Sequence, residues 1–526
     1  MTIAQKTKKK KDPAMTKVFL KITMKLYSNG WIQWGKAVAV SFLLFTLGCS
    51  FQPKQNQKKL TVLLGMAPKN LHPYHSTDSS AQLINNFWLS ALVKTDSHLN
   101  LTTDLAHSWT ISPDKKKITF KFLKNSNHQK AQIDAKTMKI CIKNYLKKDS
   151  LFYAKSQWDI LEKIETKNNF LIFKLKHPDP FFIENLKVIK FFTNEKREIC
   201  SYNSKKIYGT RNYSLRENDL YFKNEIHFDS KDKNLPTIKI EFVKDEITKV
   251  LTFLKKDVDL AYNAFSHNKW SFLKKKGFKT IEAPGSRISY LAFNLDRFPT
   301  NQIEIRKAIA YGINRPLIIE KKMKNANVIS DSFLPKSHPA YLKNLISYDL
   351  EKSKKWVKKF KKKTGLKEIT LEYLTTPFLI GKEKALSFQY FLKEIGINLV
   401  IRSVEPAIFF TLIRTGKYHL YSSTWVGVTH GGIFETTLKT GEPRNRVHYS
   451  NPQMDQWIQS ALRETDQNKR NKFLIQIQKK MIDDLPYFPL WKWNIIMMAK
   501  PWISLPSKTI LSPEGSLDAL TKVRYK

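Results

Sequence analysis

Few side chains in this sequence have the types and spacing that catalysis or metal binding requires. His72 and His75 flank a Pro-Tyr pair, so their imidazoles are candidates for two metal ligands, but a proline-containing loop with two histidines is more typical of a plain loop. No GxSxG, HExxH or P-loop sequence occurs, and Cys49, Cys141 and Cys200 form no CxxC pair. We therefore expect no catalytic residue, no metal site and no cofactor.

Cys49 is the residue with the clearest chemical role. It follows Gly48 at the end of an apolar stretch, residues 37–47, which is too short to span a bilayer but has the length of a signal h-region. The segment resembles a bacterial lipoprotein signal, in which the cysteine thiol receives a lipid, although Thr46 stands where leucine is usual. We expect cleavage before Cys49 and lipidation of its thiol. An ordinary signal peptide with a chance cysteine is the alternative.

The residues around this signal divide into a leader and a tether. Residues 1–36 contain nine lysines and one aspartate, which is long and basic for a signal n-region, and translation from Met24 would give an ordinary one. We interpret residues 1–48 as a basic leader and signal peptide, and the polar residues 49–59 as a tether.

Composition and charge describe a large, basic, globular protein. Of the 526 residues, 42% are hydrophobic and 26% are charged, which is far from the composition of disordered chains. About 475 residues remain after the signal, enough for two or three domains. The net charge of +46 is spread along the chain without the aromatic-basic motifs of nucleic-acid binders. We interpret it as lysine on solvated faces, with binding to anionic lipid or an acidic ligand as the alternative.

Helical and strand patterns alternate along the exported part of the chain. Apolar runs and alternating patterns predict strands at 60–64, 118–123, 170–175, 237–243 and 397–401. Helical spacing predicts helices at 81–93, 135–147, 246–256, 305–313 and 383–395. Interleaved elements of this kind indicate an α/β or α+β fold. No internal repeat occurs, and no apolar run after the signal is long enough to cross a membrane.

Two stretches in the first half of the exported chain carry a family resemblance. Residues 104–109 read DLAHSW, followed by SPD at 112–114 and the strand pattern at 118–123. Residues 209–213 read GTRNY. In order and spacing these segments resemble LA-x-SW, SxDG, YTFxLR and GTGPY of the oligopeptide- and dipeptide-binding proteins of ABC transporters, the family 5 extracellular solute-binding proteins.

Two further stretches extend the resemblance over nearly all of the exported chain. Residues 290–315 contain Phe293-Asn294, Pro299 and an Arg306-Lys-Ala-Ile helix that ends in Asn314-Arg315. Residues 348–489 contain LKEIGI at 392–397, Trp425 and DLPY at 484–487. All four stretches occur in the order of the family.

The resemblance implies the type II periplasmic-binding-protein fold, an α/β architecture of two lobes joined by a hinge, with an extra inserted domain. Lobe I would comprise residues 60–90, 214–289 and 494–526, the inserted small domain residues 91–213, and lobe II residues 290–493. The chain would cross between the lobes near residues 289–290 and 493–494, and ligand would close the lobes about these crossings.

In this family a peptide lies extended in the cleft between the lobes, and protein backbone groups pair with its backbone. Matching positions imply that Arg444 and Arg446 meet a ligand carboxylate and that aromatic side chains line the crossings. Surface arginines and core tryptophans are the alternative interpretation. The ligand-binding residues implied by the resemblance are Pro68, Lys69, Tyr290, Trp425, Gly427, Val428, Thr429, Arg444, Arg446, Trp491 and Trp493.

One position departs from the family pattern in a way that concerns ligand charge. The family segment W-x-x-D-Y supplies a carboxylate to the free amine of the ligand, and here Trp425 is followed by Val428 and Thr429 at the Asp and Tyr positions. A valine cannot pair with an ammonium group. Either another acid replaces it, Glu435 being the nearest downstream, or the ligand is not a free-amine peptide.

The resemblance implies a binding protein rather than an enzyme. We expect a monomer that is anchored to the bacterial cell membrane on the periplasmic side through lipidated Cys49. It would capture oligopeptides or a related small solute and deliver them to the permease and ATPase subunits of an ABC importer. The alternative is a basic envelope protein that uses the same fold to bind an anionic partner. A nucleic-acid partner is disfavoured by the export signal.

Overall fold

The computed structural model of this protein describes most of the chain after the predicted tether. The described residues are 58–526 apart from 77, 97–99, 124–126, 129–130, 151, 153, 217–219, 221–223, 256, 325, 344, 427–429, 508–510 and 512–515. The predicted leader, the lipidation site Cys49 and three predicted ligand-binding residues, Gly427, Val428 and Thr429, lie outside them.

Helices and strands alternate along the described chain. The strands β1 to β23 are, in order, Lys59–Leu64, Val93–Thr95, Leu101–Thr103, Ser108–Ile111, Lys117–Lys121, Asn127–His128, Ala131–Gln132, Leu161–Lys167, Phe170–Leu175, Thr193–Asn194, Ile207–Tyr208, Tyr213–Leu215, Glu225–Ser230, Thr237–Phe242, Leu260–Tyr262, Lys279–Phe293, Asn327–Ile329, Ile369–Thr375, Ile397–Ser403, Leu420–Trp425, Tyr487–Ala499, Ile503–Ser504 and Arg524–Tyr525. The helices α1 to α13 are Ser79–Trp88, Ala135–Leu146, Phe182–Asn185, Glu246–Leu254, His267–Lys275, Ile303–Gly312, Arg315–Met323, Leu350–Thr364, Leu379–Glu394, Pro406–Arg414, Ile433–Leu438, Pro452–Arg463 and Gln467–Asp484.

One large mixed sheet runs through the molecule. Its strand order is β12-β13-β14-β1-β15-β21-β16-β20-β18-β19, and β17 adds to β21. On one side of the β21-β16 pair, β1 runs parallel to β14 and β15; on the other side, β18 runs parallel to β19 and β20. We call the part built on β12 to β15 and β1 the first lobe, and the part built on β18 to β20 the second lobe. Only β16 and β21, among the described strands, belong to both.

Each lobe has its own hydrophobic core. In the first lobe, one core includes Leu60, Val62 and Tyr262, and a smaller one lies on the opposite face of the sheet around Leu63. In the second lobe, two cores lie on opposite faces of the sheet, around Phe293 and the aromatic residues near β20. Helices therefore cover both faces of the mixed sheet, which is the layering expected of this class. The two-lobed α/β fold expected from the sequence is confirmed, whereas the residue boundaries of the domains stay a prediction.

A four-stranded antiparallel sheet, β4-β5-β9-β8, forms a smaller unit beside the first lobe. Its helix α2 begins at a capping box, in which Asp134 accepts from the Thr137 backbone and Thr137 accepts from the Asp134 backbone. Side chains of this unit belong to the same hydrophobic core as β1 and β15. A disulfide joins Cys141 on α2 to Cys200, a pairing that the sequence left open.

Two helix boundaries differ from the sequence prediction. The predicted helix 81–93 runs from Ser79 to Trp88, because the chain turns to extended backbone at Leu89 and Ser90 then bridges to Phe191. The apolar residues after Trp88 are buried in this extended form, so their apolar character did not distinguish helix from strand. The helix predicted at 383–395 begins earlier, at Leu379. No described helix combines the length and apolar character needed to cross a bilayer.

Candidate functional site

The two strands that join the lobes form the base of the candidate site. β16 is 15 residues long, about 50 Å when extended, and pairs antiparallel with β21 along most of its length. The register of this pairing shifts between Pro284 and Arg287. Within the shift, Gly285 lies so close to the backbone carbonyl of Trp493 that a Cβ atom would not fit. Arg287 then pairs with Trp493. The lobes thus meet at an irregular, glycine-dependent point on the sheet.

An aromatic cluster lies at the second-lobe end of this base. The Trp425 ring, at the end of β20, stacks on the Tyr290 ring with centroids 5.3 Å apart and planes 17° apart. Tyr290 also meets Tyr421 and Tyr487 edge-on. Trp425 is partly exposed, and its indole nitrogen has no hydrogen-bond partner among the described residues. The structure therefore brings the predicted residues Tyr290 and Trp425 together, with Trp425 the one open to a ligand.

The remaining predicted residues are more scattered. Trp491 is completely buried in the second-lobe core, whereas Trp493 is partly exposed. Pro68 is buried and Lys69 exposed in the loop after β1. Arg444 is exposed.

Arg446 lies nearest the aromatic cluster among the predicted arginines. Its guanidinium is 5.8 Å from the centre of the Phe410 ring, and its backbone carbonyl accepts a hydrogen bond of 2.5 Å from the Tyr418 hydroxyl. Burial raises the pKa of Tyr290, and the Arg446 charge opposes that rise. Arg446 is thus close enough to the Trp425-Tyr290 stack to influence a group bound there.

A set of contacts joins the small sheet unit to the second lobe, and we call it the clasp: Asp179, Phe181, Glu184, His430, Glu435 and Arg470. The Phe181 ring stacks on the His430 ring at 4.4 Å, and His430 Nε2 lies 3.6 Å from Glu184 Oε2. The Arg470 guanidinium lies 5.8 Å from the Phe181 ring centre. These contacts join the small sheet unit to the second lobe.

Two carboxyl groups of the clasp have raised pKa values. Burial raises the pKa of Asp179 to about 6, with a smaller contribution from the charge of Glu435. The Phe181 backbone N–H, which donates to Asp179 at 2.7 Å, acts in the opposite direction and lowers this pKa. Burial likewise raises the pKa of Glu435, which Lys439 opposes from 3.5 Å. Glu435, named from the sequence as a substitute acid, is therefore close to a second acid across the lobe boundary.

A narrow crevice lies between the lobes beside Trp493. It is lined by His267, Ile318, Lys322, Met323, Glu383, Lys384, Ser387 and Trp493, and its volume of about 10 Å³ leaves room for no more than about one water. His267 stacks on Trp493 with ring centroids 5.4 Å apart. Burial lowers the pKa of Lys384 to about 8, and its ammonium donates to Ser422 Oγ at 2.7 Å. The crevice thus brings charged side chains from α7 and α9 against the first-lobe helix α5.

Sequence reasoning did not name these contact partners. Phe181, Glu184 and His267 lie outside the family segments used above, and nothing in the local pattern of these residues or of Lys384 marks them as interlobe contacts. His430 directly follows the family segment that contains Val428. The resemblance therefore pointed towards the second-lobe residues of the clasp but not towards Phe181 and Glu184.

The paired histidines pack against aromatic neighbours. Burial lowers the pKa of His72 to about 4, and its ring packs against Tyr74 at 5.5 Å and His75 at 5.4 Å. Within the part of the chain that the structure describes, no three His, Cys, Asp or Glu side chains are grouped as metal ligands are.

Comparison with known proteins points to transport-associated binding proteins. The family model "Bacterial extracellular solute-binding proteins, family 5 Middle" matches residues 100–435, more than half of the chain. The probable D,D-dipeptide-binding periplasmic protein DdpA of Escherichia coli K12 is 22% identical over 463 residues, which cover 81% of this chain and 87% of that protein.

Solved structures show the same fold at low sequence identity. A dipeptide-binding protein from Pseudoalteromonas sp. SM9913, in complex with Met-Leu, has a TM-score of 0.75 at 19% identity. The match covers 89% of this chain and 100% of that protein's chain. AgaA from A. tumefaciens R10, in complex with agropinic acid, has a TM-score of 0.73 at 18% identity and covers 89% of this chain and 99% of its own.

Proposed function

This chain belongs to the family 5 bacterial extracellular solute-binding proteins, and we propose that it captures oligopeptides, or a related small solute, between its lobes and delivers them to an ABC importer. Its relatives in that family are transport-associated binding proteins rather than enzymes. The names of two similar proteins give different ligands, a D,D-dipeptide and agropinic acid. Membership of the family therefore supports a binding function. The identity of the solute depends on the side chains of this particular chain.

The observation that carries the proposal is the stack of Trp425 on Tyr290, which lies on and beside the strands that join the lobes. A partly exposed indole offers apolar area to a ligand, and its N–H, buried here without a partner, is a donor that a ligand could use once the lobes separate. Two strands alone join the lobes in the described sheet, so a small rotation about them opens the cleft. Arg446 and Trp493 are the other predicted residues best placed to contact the solute.

The acid that would hold a ligand amine is a separate part of the proposal. Val428 supplies none, and the clasp contains two other acids, Asp179 and Glu435. Burial, with a smaller contribution from the charge of Glu435, raises the pKa of Asp179, and an ammonium group bound beside it would favour the ionised carboxyl. If the ligand has no free amine, these two acids serve only to make the closure of the clasp sensitive to pH.

We also propose that Cys49 carries the lipid anchor and that the protein works as a monomer on the periplasmic side of the membrane. The support is the sequence of the signal, which lies outside the described residues. The permease and ATPase subunits of the importer would then be its partners.

The proposed function is tested with the exported chain, residues 50–526, purified from a bacterial host. Native mass spectrometry identifies any solute that co-purifies with the protein. That solute is then added back to the ligand-free protein. Bound solute should raise the melting temperature, because it binds the folded form alone, and should compact the protein in small-angle X-ray scattering. Binding that leaves the scattering profile of the stripped protein unchanged contradicts a cleft that closes on its ligand.

A second function, attachment to an anionic surface, has one observation in its favour. Helix α8 presents exposed lysines that include Lys352, Lys355, Lys359 and Lys362. Such a face attracts anionic lipid in a salt-dependent way. Sedimentation of the chain with phosphatidylglycerol vesicles, but not with phosphatidylcholine vesicles, at 0.15 M salt would favour it.

A further inference from the structure

The four-stranded sheet of the small unit, β4-β5-β9-β8, has one covered face and one open face. Helix α2 packs against β8 and β9, and the side chains of the covered face, which include Ile118, Phe120, Leu171 and Phe173, are buried in the core. Because successive side chains of a strand point to opposite faces, the residues between them lie on the other face. Those residues are exposed or partly exposed. We call this second face, formed by the outward residues of the four strands, the open face.

The open face is rich in lysine. It carries Lys117 and Lys121 on β5, Lys174 on β9, and Lys163 and Lys167 on β8. In the register of the sheet, Lys117 lies opposite Lys174, which in turn lies opposite Lys163. Like charges at directly opposed positions destabilise a sheet. This row of lysines therefore has an electrostatic cost when the protein is alone.

A glutamate on the same face offsets part of this charge. Glu165 Oε1 lies 2.7 Å from Lys163 Nζ and 3.2 Å from Lys174 Nζ. The pKa of Lys163 is raised by its hydrogen bond to Glu165 and, to a smaller extent, by the charge of Glu162 at the register shift of β8. Three other ammonium groups of the face have neither an ion pair nor a ring contact within the described residues, those of Lys117, Lys121 and Lys167. A net positive charge thus remains on the open face.

The lysines of helix α8 differ in this respect. Lys363 lies 3.4 Å from Glu304, and the Lys352 ammonium lies 4.1 Å from the centre of the Tyr311 ring. Several positive charges of that helix therefore have partners inside the protein. On the open face, most of the charge is left to solvent or to a partner outside the chain.

Phe170 and Ile172 give the open face an apolar centre. Phe170 is 38% exposed and lies between Lys121 and Lys167 in the register of the sheet. Ile172 is partly exposed two residues further along β9. Lysines around an exposed aromatic ring fit a lipid surface, because the ammonium groups reach the anionic headgroups while the ring and the lysine stems contact apolar atoms.

The type of cation also favours a surface over a single bound group. All five cations of the open face are lysines, whose ammonium groups act as point charges. Recognition of one phosphate or carboxylate commonly uses the planar fork of arginine, and the open face has none among the described residues. Diffuse attraction to many headgroups needs no such fork.

We propose that the open face of the small unit binds the anionic surface of the membrane. The inference rests on the proposed location beside a membrane and does not depend on the solute. Each lysine close to an anionic surface strengthens attachment by about fivefold at low salt. Contact at this face would turn the small unit towards the bilayer, which a flexible lipid anchor alone does not do, and it assigns the attachment to the sheet rather than to α8.

Two triple variants with the same change of charge test the location. The open-face variant replaces three lysines with glutamine: Lys117→Gln, Lys121→Gln and Lys167→Gln. The matched control replaces three exposed lysines of α8: Lys355→Gln, Lys358→Gln and Lys362→Gln. Each is made in the exported chain, residues 50–526, which carries no lipid, and is sedimented with mixed phosphatidylglycerol–phosphatidylcholine vesicles at about 0.1 M salt.

The wild type and the α8 variant should bind these vesicles alike, and the open-face variant at least about tenfold more weakly. Binding of the wild type should fall steeply at about 0.5 M salt, because screening shortens the reach of the lysines. The open-face variant should melt no lower than the wild type, since like charges opposite each other have been removed.

Three results would overturn the inference. Equal losses in the two variants would show a general effect of net charge, and a loss in the α8 variant alone would place attachment on that helix. Failure of the wild type to bind the vesicles, with binding to soluble poly-L-glutamate that the open-face variant loses, would point to an acidic protein instead. None of these results bears on solute capture, which the melting and scattering measurements above test separately.

Discussion

The clasp gives a prediction about pH that the structure makes quantitative. Asp179 has an ordinary pKa of 3.8, and burial with the nearby charge of Glu435 raises it to about 6 in the folded protein. A carboxyl whose pKa is higher in the folded state binds a proton more readily when folded. Its contribution to stability is therefore lost as the pH rises from about 4 to about 6 and stays lost above that.

The magnitude follows from the shift. A change from 3.8 to about 6 corresponds to about 3 kcal/mol at pH 7.5. Asp179→Asn removes the charge and keeps an oxygen to accept from the Phe181 N–H. We expect the variant to be more stable than the wild type by about 3 kcal/mol at pH 7.5 and by about 1 kcal/mol at pH 4.5, with no gain below that range.

Urea unfolding at 25 °C, followed by tryptophan fluorescence at pH 4.5, 6.0 and 7.5, measures the difference. Asp466→Asn is the matched control, because Asp466 is an exposed helix cap whose pKa is lowered by the Lys469 N–H rather than raised. That variant should show no gain at pH 7.5. Stability curves for Asp179→Asn and the wild type that run parallel from pH 4.5 to 7.5 would refute the account of the clasp.

Three further predictions concern the anchor, the hinge and the ligand. Cys49→Ala should leave an uncleaved precursor or release the protein from the membrane, which fractionation of cells and mass spectrometry of the N-terminus would reveal; normal processing with unchanged membrane association would contradict lipidation. Gly285→Ala should lower the free energy of unfolding by about 1–3 kcal/mol, because its Cβ would meet the Trp493 carbonyl, and chemical denaturation would measure the loss. Val428→Asp should make binding favour trialanine over N-acetyl-trialanine, since an acid returns to the position where the family pairs a free amine; calorimetry on the two peptides decides this, and a strong free-amine preference already present in the wild type would show that another acid, such as Glu435, serves instead.

Many of the strands and helices could be predicted from the sequence, because the local spacing of apolar residues determines them. The strands at 60–64 and 170–175 and the helix at 135–147 follow directly from apolar spacing, and they are observed within a residue or so. The error at residues 89–93 has a physical cause. Those side chains are buried by the fold as extended chain, and an apolar run alone does not say whether it is helix or strand.

The candidate site was less accessible, since its contacts join residues far apart in the chain. Resemblance located Trp425 and Tyr290, which the structure stacks together. It also named Trp491, which the structure buries entirely among core side chains. The stack of Phe181 on His430 depends on how the small sheet unit meets the second lobe, and no local spacing encodes that.

The strand order of the first lobe has a consequence for the timing of folding. Its strand β15 hydrogen-bonds on one side to β1, near the start of the described chain, and on the other to β21, at residues 497–499. The Tyr525 hydroxyl then bonds to Asp259 just before β15. The sheet of this lobe is therefore incomplete until almost the whole chain has left the ribosome. Pairings of such long sequence separation form slowly, so we expect the first lobe to complete its sheet late in folding.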